Sequence, residues 1–355
     1  MGHGDVSWSK EVNSGSTGGA LFVMSYGQGM ADEQTKTMAA VWLEEQELSL
    51  REVPIPTPGP REALVKVRLA GICSTDLELR RGYYPCRGIL GHEFVGEIVA
   101  AESAPERLGQ RVVGEINVGC GRCPRCAAGL ARHCAARTVL GIVGHDGAFA
   151  EYLLLPLDNL LPVPTGVDDG AAVFAEPLAA ALEIQQQLAV DPAARILVVG
   201  AGRLGLLVAG TLALTGASVA AVARHRRQRE ILAGYGVEAL QEAQVSAERF
   251  ELVVEASGAP SGLALARRAL RPRGTLVLKS TYAGETSLDL SSYVVDEITV
   301  VGSRCGPMAP ALRLLAAGGL DPTPLVDASL PLKDALEGFG RASEPGALKI
   351  LLAMP

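Results

Sequence analysis

RILVVGAGRLGLLVAG, residues 195–210, decides the fold class. A short apolar run of strand type leads into Gly200, Gly202 and Gly205, spaced G-x-G-x-x-G, and a helix-compatible run of Leu, Val and Ala follows. The glycines let the backbone approach a pyrophosphate at the start of a helix, where free N–H groups and the helix dipole favour negative charge. Arg203 and Leu204, which fill the last two x positions, fall in the same cradle. The plainer reading, a glycine-rich turn that binds nothing, lacks a reason for the strand before it and the helix after it. The neighbouring segments agree. From about Asp168, Ala- and Leu-rich helical stretches alternate with the compact strands SVAAVA, FELVVEA, GTLVLKS and EITVVGS. Strand, helix and strand in succession imply an α/β domain, a doubly wound parallel sheet with helices on both faces.

The end of the next strand reads the cofactor. A carboxylate there would accept the 2′-hydroxyl of NAD and repel a 2′-phosphate. This chain instead carries Arg224 inside ARHRRQ, where a guanidinium can grip that phosphate with paired charge-assisted bonds. NADP is therefore favoured over NAD. The alternative is that Arg224, His225, Arg226 and Arg227 are a solvated basic turn and another group decides.

Upstream, from Met38 to about Pro164, the texture is short and strand-like: ALVKVRLAGI, EFVGEIVAA, RVVGEI and FAEYLLLP, separated by Gly and Pro. That describes a β-rich domain. From about Pro307 the chain is helical again and ends in the apolar ALKILLAM, which can pair back onto the first domain. Residues 1–37 are rich in Gly, Ser and Thr, show no sustained periodicity, and read as an extension or tag. The whole chain has 355 residues, a formal net charge of −7 and 20 % charged residues, the profile of a soluble acidic protein. Nothing in it suggests a nucleic-acid partner, a membrane span or a signal peptide, so a cytoplasmic location is expected.

Four of the seven cysteines crowd into CGRCPRCAAGLARHC. Cys120, Cys123, Cys126 and Cys134 can converge on one tetrahedral ion, and with all four positions filled by protein the site has no room for substrate. A structural zinc that stakes a loop is expected there, with His133 a bystander. The stretch GICSTDLELRRGYYPCRGILGHEFVGEIVA, residues 71–100, is less decided: Cys73, His92 and Glu93 are zinc-ligand types, but a buried thiol beside a satisfied histidine would look the same.

Taken together, GICSTD, GHEFVGEI, CGRCPRCAAGLARHC, GAFAEY, AEPLAAALE and VVGAGRLG, in that order, resemble the zinc-containing medium-chain alcohol dehydrogenases of the sorbitol and threonine dehydrogenase branch, from Met38 to Pro355. The resemblance implies a GroES-like β-rich catalytic domain over 38–177 and 307–355, with a Rossmann dinucleotide-binding domain over 178–306. It makes Cys73 and His92 catalytic-zinc ligands, Asp76 the acid that orients the histidine, and Thr75 the first hydroxyl of a proton relay. Glu176, in the E-P-L motif, is favoured as the remaining ligand, with Glu93 exchangeable or water-linked. Glu78 stands where related enzymes carry a relay histidine, which leaves the proton's exit open. Ser257, Gly258 and Arg304 would line the nicotinamide half of the cofactor site, and Lys349 would meet the pyrophosphate. Cys86 and Cys305 read as ordinary thiols near the cleft. Tyr83, Tyr84 and Pro85 would wall the substrate pocket.

The implied chemistry is hydride transfer between a small-molecule alcohol, or its aldehyde or ketone, and NADP or NAD, with zinc as Lewis acid. The rivals are an NAD-dependent polyol or amino-alcohol dehydrogenase and, in another class, a non-catalytic dinucleotide-binding protein. By the resemblance the chain assembles as a homodimer or homotetramer.

Overall fold

The computed structural model describes residues 36–281 and 286–355. The extension read over 1–37 lies outside the described residues as far as residue 35, and the first strand begins at Thr37.

A seven-stranded sheet is built around the strand Glu62–Gly71, whose alternating burial puts Ala63, Val65 and Val67 into the core. The strand Glu93–Ala100 pairs antiparallel along one side of it, with Glu93 opposite Gly71. On the other side lies the C-terminal strand Lys349–Ala353, with Leu351 opposite Gly71 and Leu352 opposite Ala70. The expected return of ALKILLAM to the first sheet is thus present, and it brings Lys349 beside Glu93.

The second sheet has six strands, all parallel, in the spatial order Glu238–Leu240, Ser218–Val222, Arg195–Val199, Phe250–Glu255, Leu270–Leu278, Thr299–Gly302. The chain order reverses between Arg195–Val199 and Phe250–Glu255. In open α/β sheets ligands sit in the crevice at such a switch point, beyond the carboxyl ends of the strands. Ile196 to Val199 are all buried, as expected of a central strand covered on both faces.

Helix Ala175–Gln187 joins the two sheets. Its Leu178 and Ile184 sit in one apolar cluster that reaches from Val95 and Leu351 of the first sheet to Ile196 and Val198 of the second. This shared core holds the cleft walls together, because separating them would expose it. No helix among the described residues is long and apolar enough to cross a membrane.

At the start of helix Arg203–Ala213 the glycines have distinct reasons. Gly200 has φ +106°, open to glycine far more than to any other residue, and a Cβ there would fall 2.7 Å from Cα of Ser257. A Cβ on Gly205 would come 1.8 Å from the carbonyl oxygen of Gly200. Gly205→Ala is therefore expected to push helix and loop apart. It should lower stability by about 1–3 kcal/mol, in the range of overpacked cores, and weaken dinucleotide binding; thermal unfolding and a fluorescence titration check both.

Candidate metal and dinucleotide site

Helix Ser74–Arg80 starts one residue after Cys73, and Asp76 fastens the turn by accepting the Cys73 N–H at 2.8 Å through Oδ2. The other oxygen, Oδ1, lies 3.4 Å from His92 Nδ1. The two are not aligned as a hydrogen bond, and both atoms are buried without another partner. Glu93 opens the next strand, and its Oε1 is likewise buried and unpartnered. Cys73, His92 and Glu93 bring one ligand atom each to within 4.8 Å of one another. His92 and Glu93 are only 3 % and 1 % exposed, while Cys73 is half-buried, so the site is closed on one side and reachable at the thiol.

Three orphaned polar atoms at such depth would each cost on the order of 1–3 kcal/mol. A small turn of the imidazole would let His92 Nδ1 and Asp76 Oδ1 satisfy each other, and a divalent ion would take the free Glu93 oxygen together with the Cys73 thiolate and the other imidazole nitrogen. With Nδ1 facing Asp76, Nε2 is the nitrogen left to bind, the arrangement in which a carboxylate orients a ligand histidine. For the metal-free site, burial disfavours the His92 imidazolium, but the charges of Asp76 and Cys73 outweigh it and hold its pKa well above the ordinary value. Thr75 Oγ1 lies 3.8 Å from Cys73 Sγ, beside the metal position.

Glu93 Oε2 is taken by Lys349 Nζ in a buried ion pair, closer than an ordinary hydrogen bond. A Cβ on Gly71 would reach 2.5 Å from that same oxygen, so the strand opposite must be glycine for the pair to fit. Glu176 falls outside the close trio. It stands in the first turn of helix Ala175–Gln187, half-buried. Burial pushes its carboxyl up to about 7, while His92 and Lys349 pull it down and Glu93 and Glu115 add to the rise. The geometry groups Glu93 with Cys73 and His92, where the sequence reading had favoured Glu176.

The second cysteine cluster also closes. Cys120, Cys123, Cys126 and Cys134 bring their sulfurs within 4.8 Å of one another. Cys123 lies 3.5 Å from Cys126 and 3.8 Å from Cys134. Tetrahedral zinc with ordinary Zn–S bonds sets its sulfurs about 3.8 Å apart, so the lobe already has that spacing. Hydrogen bonds from the Arg122 backbone, from Cys134 and from the Cys123 backbone hold Cys120 down to about 6, whereas burial pushes Cys126 up to about 11.

The profile of the alcohol dehydrogenase GroES-like domain matches residues 59–165, and that of the zinc-binding dehydrogenase matches residues 204–317. The L-galactonate-5-dehydrogenase of Escherichia coli K12 is 31 % identical over 315 residues, 83 % of this chain and 92 % of that protein. The chain belongs to the zinc-binding, medium-chain alcohol dehydrogenase family. A zinc-binding dehydrogenase from Sinorhizobium meliloti 1021, solved with NADP, superposes with a TM-score of 0.83 at 29 % identity, covering 90 % of this chain and 99 % of the other. An alcohol dehydrogenase from E. coli CFT073, solved with NADH, gives 0.82 at 27 % identity, covering 89 % and 99 %.

For a zinc-binding dehydrogenase, the fingerprint loop has the shape a dinucleotide needs. A Cβ on Gly202 would meet nothing within 4 Å, so this glycine fills no packing role and leaves open space over the helix start. Leu204 is half-buried in the first turn. Arg224 follows directly on the strand Ser218–Val222 and Ala223, its side chain exposed, with only a loose ion pair to Glu242 at 3.8 Å. Ser257, just past the strand Phe250–Glu255, donates through N and Oγ to buried Glu255 at 2.7 and 2.5 Å. Tyr83 shares a hollow of about 370 Å³ with Glu255, Leu278, Ser280 and Thr281 at these strand ends. Pro85 and Cys86 line a different hollow, with Asp146, and Tyr84 is exposed. Burial pushes the Cys305 thiol up to about 11.

Three side chains assigned to the cofactor go elsewhere. Lys349 Nζ is committed to Glu93 and the Ile72 carbonyl. Arg304 donates to the carbonyl of Arg132 at 2.7 Å and to Asn117 Oδ1 at 3.5 Å, facing the four-cysteine lobe. Arg203 donates to Ser74 Oγ and to the carbonyls of Leu348 and Ala342. Sequence reading also missed the clasp that Arg132 makes to Glu183 and the Cys305 carbonyl, and buried Lys279, which bonds the carbonyls of Ala180 and Arg304. These partners are far apart in the chain, and no local pattern announces them.

Two outcomes are expected. Cys123→Ser should open the lobe, read as faster limited proteolysis within residues 119–134. In metal-stripped protein, the raised folded pKa of Glu176 means its contribution to stability is full below its ordinary value of 4.5 and is lost as pH rises through about 7. Denaturant midpoints across that window should fall with pH, and Glu176→Gln should flatten the slope.

Proposed function

We propose that the protein is a zinc-dependent dehydrogenase that moves hydride between a small alcohol, or its carbonyl counterpart, and NADP. The observation that carries the reading is the convergence of Cys73 with buried His92 and Glu93 in a chain that also has an open glycine cradle at the switch point of a parallel sheet. When bound, zinc supplies Lewis acidity and the nicotinamide supplies or accepts the hydride.

The chain's own residues do the rest. Cys73 and His92 hold the metal, Asp76 fixes the imidazole, and the carboxylate position is shared by Glu93 and Glu176. Glu93 is in place already, and Glu176 is close enough to feel the charges of His92, Glu93 and Lys349. Lys349 balances the charge of Glu93, so the site does not carry two unpaired carboxylates. Thr75 takes the alcohol proton at Oγ1 and hands it toward solvent along a helix whose next turn carries Glu78, half-exposed and paired with Arg81 at 2.6 Å. Tyr83 and the strand-end residues around it wall the hollow at the sheet's carboxyl edge.

NADP is favoured because Arg224 is exposed, weakly paired and placed after the second strand of the fold, where the ribose is read. The four-cysteine lobe has a structural role. A polyol or amino alcohol is the substrate class that the relatives support. The location is cytoplasmic and the assembly a homodimer or homotetramer.

The test is reduced-nicotinamide absorbance with zinc-loaded protein against primary, secondary, poly- and amino alcohols, each with NADP and NAD. Turnover that is stronger with NADP and abolished by Cys73→Ser is the expected result; cofactor binding without turnover of any alcohol or carbonyl contradicts it. Arg224→Glu should reverse the preference, lowering kcat/KM with NADP at least about tenfold, the scale of losing one charged hydrogen-bonding partner.

A further inference from the structure

Arg203 is a fingerprint residue whose charged end reaches out of its own sheet system. It occupies the first turn of helix Arg203–Ala213, where a dinucleotide pyrophosphate would rest, and its guanidinium reaches three acceptors in the other half of the molecule. Nη1 donates to Ser74 Oγ at 2.9 Å, Nε to the Leu348 carbonyl and Nη2 to the Ala342 carbonyl. Ser74 is the neighbour of the ligand Cys73. Leu348 is the neighbour of Lys349, whose ammonium holds Glu93. One guanidinium therefore grips both segments that position the metal trio.

The grip continues toward the other end of the cofactor. Leu348 N donates to Asp327 Oδ2 at 2.5 Å, and Asp327 Oδ1 accepts from Arg227 in the basic turn after Arg224. Arg227 also bonds the carbonyls of Pro324 and Val326. A continuous chain of hydrogen bonds thus runs from the ribose-reading turn, through Asp327, Leu348 and Arg203, to the start of the metal-ligand helix. A ligand that orders the first turn of helix Arg203–Ala213 also orders the stem of Arg203, and with it Ser74 and Leu348.

We propose that Arg203 is a positioning residue that couples dinucleotide binding to metal binding at Cys73, His92 and Glu93. The inference rests on the dehydrogenase reading above and adds to it a route between its two ligands. Coupling between sites is reciprocal: if NADP tightens the metal, the metal tightens NADP by the same factor.

The experiment measures the apparent Kd of the weaker zinc site by titration in zinc buffers with a colorimetric indicator, with and without saturating NADP. The zinc signal missing from Cys73→Ser identifies that site. In the wild type, NADP should tighten it about tenfold, within the usual span of such couplings. Arg203→Met, which keeps the aliphatic stem, should bring the ratio near one whatever its own affinity for NADP. Arg203→Lys should restore little, because an ammonium cannot bond three separated acceptors. Ser74→Ala, a change at an exposed position that removes one of the three acceptors of Arg203, should lower the ratio part-way. An unchanged ratio in Arg203→Met, or a ratio of one in a wild type that binds both ligands, overturns the coupling alone. A wild type that binds no dinucleotide, or whose zinc content Cys73→Ser does not alter, overturns the dehydrogenase reading and the coupling with it.

Discussion

The ion pair between Glu93 and Lys349 is the constraint around which the site is organised. Both side chains are essentially inaccessible, at 1 % and 2 %. Removing either partner from a buried pair leaves an uncompensated charge and costs roughly 3–5 kcal/mol. Glu93 comes from the strand after the metal-ligand loop and Lys349 from the C-terminal strand, with the strand ending in Gly71 between them. Gly71 must lack a side chain for the two to meet. The last strand of the chain is therefore part of the cluster that Cys73, His92 and Glu93 form: without it, Glu93 would lose the ammonium that Lys349 places beside it.

A single lysine does not finish the charge balance. Oε1 of Glu93, Oδ1 of Asp76 and Nδ1 of His92 remain buried without partners, and the Cys73 thiol stands beside them. Folding brings these groups together because the apolar cluster around helix Ala175–Gln187 is shared by both sheets, and the cleft cannot open without exposing it. The hydrophobic effect supplies the assembly, and an ion held by Cys73, His92 and Glu93 would supply the charge compensation. The cysteine lobe shows the same logic at lower burial, with sulfurs already at zinc spacing and clasped to the cofactor half through Arg132 and Arg304.

Much of this was legible in the sequence because it is local. The fingerprint from Gly200 to Gly205 and the cysteine spacing from Cys120 to Cys134 are each read within a few residues, whereas His92 and Glu93 gained a reading only from the resemblance of the whole chain. The alternation in ALVKVRLAGI and the apolar RILVVG name their sheets through period and burial. What was not legible is what depends on side-chain direction between distant segments. A sequence places Arg203, Arg304 and Lys349 near a cofactor. It does not say that their charged ends turn to Ser74, to Arg132 and to Glu93. The closer grouping of Glu93 than of Glu176 with Cys73 and His92 was hidden for the same reason, since it depends on which way each carboxylate turns.

Zinc stoichiometry by elemental mass spectrometry tests the central claim, that buried groups of the cleft are completed by an ion separate from the one in the lobe. Two zinc ions per chain in the wild type, with one retained in Cys73→Ser, is the predicted result. One ion per chain in both proteins, held by the lobe alone, would contradict it.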